Sequence, residues 1–258
     1  ILSAVAQSYA TIDHQGFMIA GEFRRGQHRG GGKVVNSVER DRVRALQLYR
    51  QALDIVADKP DAHSTTEARD LLSGFASAVL NGGSYRQPYL LQLLTDIAVL
   101  PDYEDGWGYR YNSGPQGAPV DEAGNPIFYD APADWKSAQN DGERWRWLLA
   151  ERTHWQPKTN VDEWRERADF LVSQFGVQTM ADYGWWFNQN SDDAEVTKSM
   201  FALHTLADDE TMAKLATGIK RFKLPEEQNY IALQRRIVDN AAGTSSQWQQ
   251  AKSSLAQE

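Results

Sequence analysis

The chain has 258 residues, 41% of them hydrophobic and 24% charged, with nine tryptophans and no cysteine. That is enough to bury a substantial core, and it excludes a collagen-like, wholly disordered or disulfide-stapled protein, along with thiolate nucleophiles and every metal site that needs cysteine. The net charge of −8 opposes nucleic acid as a partner, since phosphate binding needs a basic footprint. No apolar run reaches the eighteen residues of a membrane-spanning helix.

The chain opens Ile1-Leu2-Ser3-Ala4-Val5-Ala6-Gln7 and reads as though entered within a helix, so a piece of a longer polypeptide is expected. Residues 11–35 then carry Gly16, Gly21, Gly26 and Gly30-Gly31-Gly32 among Arg24, Arg25, His28, Arg29 and Lys33, which reads as a glycine-rich basic loop. Residues 1–50 hold eight Lys or Arg against four Asp or Glu, a local +4 that leaves −12 for the other 208. Gly26 to Lys33 invites comparison with a phosphate-cradling loop, but Gln27 stands where the first glycine belongs and Val34 where the metal-binding hydroxyl belongs.

From about 37 to 57, Val38, Ala45, Leu46, Tyr49, Ala52, Leu53 and Val56 recur every three or four residues and predict an amphipathic helix. The period returns in Ala68, Leu71, Leu72, Phe75 and Val79, and then in Leu90, Leu91, Leu94 and Ile97. It is found again in Trp145, Leu148 and Leu149, and in Trp164, Ala168, Leu171, Val172 and Phe175. Starts are marked by a capping residue three positions before an acid: Asn36 with Glu39, Ser64 with Glu67, Asn140 with Glu143, Asn160 with Glu163, Asp192 with Glu195. Asn81-Gly82-Gly83 and Gly176 are stops. Further helices are predicted near 193–206, 209–221, 226–240 and 245–256, with Met212, Leu215 and Ile219 facing inward in the second of these.

Residues 100–139 interrupt the helices with five Gly, five Pro and the aromatics Trp107, Tyr109, Tyr111, Phe128, Tyr129 and Trp135. Too many rings are present to leave in water, so this long acidic loop is expected to lie on the helical surface, with a small hairpin about Gly124-Asn125. Its acids are the obvious mates of the basic loop. The fold expected is all-α: one domain over 1–258, a solenoid-like array of antiparallel helix pairs, degenerate tetratricopeptide-like.

No motif supports chemistry directly. The histidines His14, His28, His63, His154 and His204 fall at no metal-ligand spacing, no nucleophile elbow is present, and no cofactor motif is found. One alternative is a carbohydrate-active all-α enzyme, because Trp185-Trp186-Phe187 stands near Asp182, Asp192, Asp193 and Glu195, the residue types that line and cleave at a sugar groove. The main reading is partner recognition, with Arg24, Arg25, His28, Arg29, Lys33, Trp107, Tyr109, Tyr111, Phe128 and Tyr129 as contact residues.

Several stretches together resemble one family: His14 through Gly32, Glu39 through Leu48, Gly117-Ala118-Pro119-Val120-Asp121, Gly124-Asn125-Pro126, Asn140 through Trp147 and Ala216 through Pro225. In that order they are similar to the helical, tetratricopeptide-like N-terminal region of large bacterial alpha-2-macroglobulin-like proteins, over about residues 14 to 240. The resemblance implies a non-catalytic part of a periplasmic or secreted protein whose β-sandwich domains trap proteases, and whose partners are other domains of that parent or another protein. The family's Cys–Gln thioester has no counterpart in a chain without cysteine, so trapping belongs to the parent.

Overall fold

The structure, a computed structural model, describes residues 1–83, 92–108, 118–156, 160–175, 205–241 and 245–256. Among them are seven α-helices and six strands in two antiparallel sheets, one of four strands and one of two. The fold is therefore mixed α and β, which corrects the expected all-α helix array. The chain divides into two compact units, residues 1–84, 90–114 and 130–156 in the first, and 85–89, 115–129 and 157–258 in the second.

In the first unit, α1 (Leu2–Ser8), α2 (Val38–Asp58), α3 (Thr65–Gly83) and α4 (Asp141–Trp155) are the helices. Contacts between α1 and α2, α2 and α3, and α3 and α4 make them a layer. The 3–4 spacing of Leu46, Tyr49, Leu53 and Val56 on α2 meets that of Leu72, Phe75 and Val79 on α3, and all are buried. Stacked rings continue the core, with Tyr49 on Phe75 at 5.5 Å and Phe75 against Trp135 at 4.7 Å. The starts of α3 and α4 carry the predicted side-chain caps: Glu67 N–H donates to Ser64 Oγ at 3.2 Å and Glu143 N–H to Asn140 Oδ1 at 2.8 Å.

Residues 11–35, expected as loop, and Asn36, expected as a helix cap, instead supply three strands: β1 (Gln15–Ile19), β2 (Glu22–Arg25) and β3 (Lys33–Asn36), joined on the far edge by β4 (Glu104–Asp105) in the order β2-β1-β3-β4. A two-residue turn, Ala20 at φ 51° and Gly21 at φ 84°, closes the β1–β2 hairpin in the primed conformation that matches strand twist. The glycines that read as breakers sit in and between short strands. Leu94 and Ile97, expected on a helix, lie in an irregular segment in which Leu93 and Leu94 are exposed.

The second unit holds α5 (Asn160–Phe175), the hairpin β5 (Glu210–Leu215) and β6 (Gly218–Lys223), α6 (Tyr230–Asn240) and α7 (Ser246–Leu255). The helix predicted over 209–221 is this hairpin. Met212, Leu215 and Ile219 match helical spacing, but Thr211, Met212, Ala213 and Leu215 are all buried in β5, a strand covered on both faces, whereas Ile219 on β6 is 36% exposed. Its core joins Ala168 and Leu171 of α5 to Ala213, Leu215, Leu224 and Leu233. In this unit Val120 bridges Pro126 about the Gly124-Asn125 turn, and Ala118 bridges Leu215.

Candidate functional site

Strand alternation sorts the predicted contact residues of the first unit. Across β2, β1 and β3 the register puts Arg24, Phe17 and Val34 on one face, and Arg25, Gly16 and Val35 on the other.

The second of these faces is wired to α2. Arg25 donates from Nη1 to Asp41 Oδ2 at 2.7 Å and from Nη2 to Oδ1 at 3.1 Å, and its Nη1 also meets Ser37 Oγ at 2.9 Å. Ser37 Oγ donates to Asp41 Oδ2 at 2.5 Å, and His14 Nδ1 donates to the same oxygen at 2.9 Å. Burial alone would push the Asp41 carboxyl up, but the hydrogen bonds from Arg25, Ser37 and His14 outweigh it and hold the group below its ordinary value. The same pairing raises the Arg25 guanidinium.

A serine, a histidine and an aspartate within hydrogen-bond reach resemble the parts of a nucleophilic triad, but the connections differ. The carboxylate, not the imidazole, takes the Ser37 proton contact, and Ser37 is 1% exposed, so the group is a latch between sheet and helix. A similar latch sits at the start of α4, where Asp141 accepts from Arg42 Nη2 at 3.1 Å, Arg144 Nη1 at 3.2 Å and Thr95 N–H at 3.1 Å, and also from Thr95 Oγ1.

The opposite face carries an accessible aromatic group. The indole of Trp107 stands edge-on to Phe17 with centroids 6.0 Å apart, and His28 lies against Phe17 at 5.8 Å. Trp107 is 47% exposed. It is held by its backbone: its carbonyl accepts from Gln15 Nε2 at 3.2 Å, and Asn36 Nδ2 donates to the carbonyls of Glu104 and Gly106, each at 3.3 Å. Gly108, at φ 73°, closes on the Asn36 side chain where a Cβ would come within 2.9 Å, so this turn requires glycine. Arg24 is 64% exposed, with Glu22 3.8 Å away, and Arg29 is exposed beside His28 in sequence.

Arg24, His28, Arg29 and Trp107 thus belong to accessible surface of the first unit, while Arg25 is spent on Asp41, and Lys33, also 64% exposed, stands in register with Met18 on the other face and pairs through Nζ with Asp105 Oδ1 at 2.6 Å. Phe128 and Tyr129 belong to the second unit. There Phe128 packs against Phe222 at 6.4 Å and the Tyr129 carbonyl accepts from Gln228 Nε2 at 3.0 Å. Tyr109 and Tyr111 lie outside the described residues, as do Trp185-Trp186-Phe187, Asp182, Asp192, Asp193 and Glu195. Sequence reasoning missed Phe17, Ile19 and Val34, which complete the accessible face; their alternation within Gln15–Ile19 and Lys33–Asn36 was the available clue.

Among the described residues no group of three or more His, Asp or Glu side chains is placed to hold a metal ion, and no helix is long and apolar enough to cross a membrane. Compared with family models, with curated proteins and with solved structures, the chain matches none.

Proposed function

We propose that this chain is a non-catalytic interaction module of a larger alpha-2-macroglobulin-like protein of the bacterial envelope, and that it contacts its partner through the Phe17–His28–Trp107 face of the four-stranded sheet. The observation that carries the reading is the indole of Trp107, presented 47% exposed by a turn fixed through Asn36 and Gln15 and set against Phe17 and His28. A half-exposed tryptophan on a face that also carries arginine is the composition in which binding energy concentrates at protein interfaces. The accessible charges associated with this face, Arg24 opposite Phe17 in the sheet and Arg29 following His28 in the chain, favour an acidic contact surface on the partner. The colinear resemblance supplies the parent and the compartment, periplasmic or secreted, with protease trapping left to other domains of that parent.

The test has two arms. The reading frame beyond Glu258 is expected to encode repeated β-sandwich domains, and the chain is expected to co-purify with them. Trp107→Ala combined with Arg24→Glu and Arg29→Glu should abolish co-purification while the melting temperature holds. A frame that encodes no such domains sinks the parentage. Hydrolysis of a polysaccharide panel that Asp192→Asn or Glu195→Gln eliminates would replace the module with a glycan-active enzyme.

A further inference from the structure

Asn36 ends β3, and Ser37 after it is the N-cap of α2. The asparagine is 1% exposed, and the two ends of its amide are used in different directions. Oδ1 accepts from the Val38 N–H at 3.2 Å, an Asx turn that leads the chain into the helix, while Nδ2 donates to the carbonyls of Glu104 and Gly106. Only this orientation satisfies the network. A flipped amide would set its NH2 against an N–H and its oxygen against two carbonyls. Aspartate would supply the acceptor without the donors, and serine would supply one donor at most.

What Nδ2 holds is the strap from Glu104 to Gly108 that carries Trp107. Only Glu104 and Asp105 of it pair with β3; Gly106 and Gly108, at φ 85° and 73°, then turn the backbone over the sheet so that the indole reaches Phe17. Gln15, the register partner of Asn36 on β1, donates to the Trp107 carbonyl from the same face, so two carboxamides converge on the turn. The steric side agrees. Gly108 backs onto the Asn36 carboxamide, so a donor on the carbonyl just before the indole and a close contact just after it bracket Trp107.

The anchors of the strap differ in weight. The Lys33–Asp105 pair has side chains 64% and 71% exposed, where water competes for both partners. Gln15 is half-buried, and its bond to the Trp107 carbonyl lies near water. Asn36 is closed off, so bonds lost there are not made good by solvent.

We infer that Asn36 is the positioning residue of the Trp107 face: it sets the pose of the indole by tying the strap to the start of α2, with Gln15 as the second anchor. The pose belongs to the folded chain by itself, and its consequence for binding rests on the reading of this face as the contact surface. Ser37, next in the chain, belongs to the Asp41 latch. One junction, Asn36-Ser37, therefore ties both faces of the sheet to the same helix.

The test labels the whole chain with 5-fluorotryptophan and observes it by fluorine NMR, with single Trp→Phe replacements to assign Trp107, Trp135 and Trp145 among the nine. Asn36→Asp keeps the shape and the acceptor for Val38 but removes both donors. Its Trp107 resonance should move by more than its own linewidth toward that of fluorotryptophan free in water, while those of Trp135 and Trp145, 6% and 2% exposed, stay in place. Gly108→Ala, which pushes on the carboxamide from the other side, should move the Trp107 resonance in the same direction. Gln15→Leu should move it the same way by a smaller amount, and Lys33→Gln should leave it where it is. A Trp107 resonance unmoved by Asn36→Asp overturns the proposal. So does movement of Trp135 and Trp145 as large as that of Trp107 in a chain that keeps its helix content, since Asn36 would then serve the fold alone. If Asn36→Asp does not fold, Gly108→Ala and Gln15→Leu decide by the same criterion. No partner is present in this measurement, so failure of the contact-surface reading in co-purification leaves the positioning standing, and an unmoved resonance sinks the positioning without touching that reading.

Discussion

Arg24 and Arg25 are adjacent in the chain and differ in almost everything the fold makes of them. Arg25 points to the face of the sheet that meets α2 and gives two hydrogen bonds to a carboxylate that is 6% exposed, whereas Arg24, one pleat away, is 64% exposed on the face that carries Phe17 and Trp107. The two faces of one small sheet thus divide the labour. One is a latch whose polar groups satisfy each other, and the other is an accessible surface held rigid by that latch. A basic cluster in a sequence is no guide to a binding surface until the side-chain period of two has been applied to it.

The sharpest way to break the comparison is to reverse each arginine alone. Arg25→Glu sets a second carboxylate against Asp41, which would keep His14 and Ser37 as donors but lose its cation, and it should destabilise the first unit by about 3–5 kcal/mol. Chemical denaturation followed by tryptophan fluorescence measures this, because Trp107, Trp135, Trp145 and Trp147 lie in that unit. A loss below 1 kcal/mol would show that the latch is ornamental.

Gly16→Ala attacks the same face through sterics. The Phe23 ring crosses β1 at this glycine, so a methyl there would sit 2.6 Å from the ring and 2.4 Å from the Arg24 carbonyl. Phe23 is itself stacked on Tyr103 at 4.4 Å and covered by the Arg25 guanidinium at 5.2 Å, so the ring cannot swing aside without disturbing the latch. The expected loss is about 2 kcal/mol, within the range for overpacked sites. The same denaturation curve reads it.

These residues also show how far the sequence could be read. The helices of the first unit were legible because Leu46, Tyr49, Leu53 and Val56 keep one period for several turns and the box at Ser64–Glu67 punctuates it. The strands were not, because four or five residues give only two alternations, and Gly16, Gly21, Gly26 and Gly32 carry the composition of a loop whether they separate strands or replace them. In the second unit β5 misled in another way: a strand buried on both sides has no alternation, and Met212, Leu215 and Ile219 then satisfy a helical template by chance. For the candidate site, residue types were legible and faces were not. Trp107 and the arginines stood out as chemistry, but Phe17, Ile19 and Val34 joined them only once the register was known.

Acid offers a gentler probe of the latch. The Asp41 carboxyl is held below its ordinary value by Arg25, Ser37 and His14 against the opposing effect of burial, so its contribution to stability is fully present above the unfolded carboxylate value of about 4. It is lost as the pH falls through the depressed folded value. Stability measured from pH 6 downward should decline less steeply in Asp41→Asn than in the native chain, and parallel profiles would show that the charge on Asp41 is not what the latch uses.

The smallest effect on stability is the one on which the accessible face rests. Among the described residues Arg24 pairs only with Glu22, at 3.8 Å and with both side chains mostly in water, and an exposed pair of that kind contributes between about 0 and 1 kcal/mol. Arg24→Glu should therefore change unfolding by less than about 0.5 kcal/mol, against the several expected for the neighbouring Arg25→Glu. The same substitution, made together with Arg29→Glu, should weaken binding to the partner proposed for this face, and the weakening should shrink as salt is raised, because exposed charges are screened over about 8–10 Å at physiological ionic strength. If Arg24→Glu instead cost as much stability as Arg25→Glu, the arginines would share one structural role and the division between the two faces would fail. If it cost nothing and attachment were also untouched, the accessible face would be ordinary solvated surface, and Trp107 would be left as its one candidate contact to test alone.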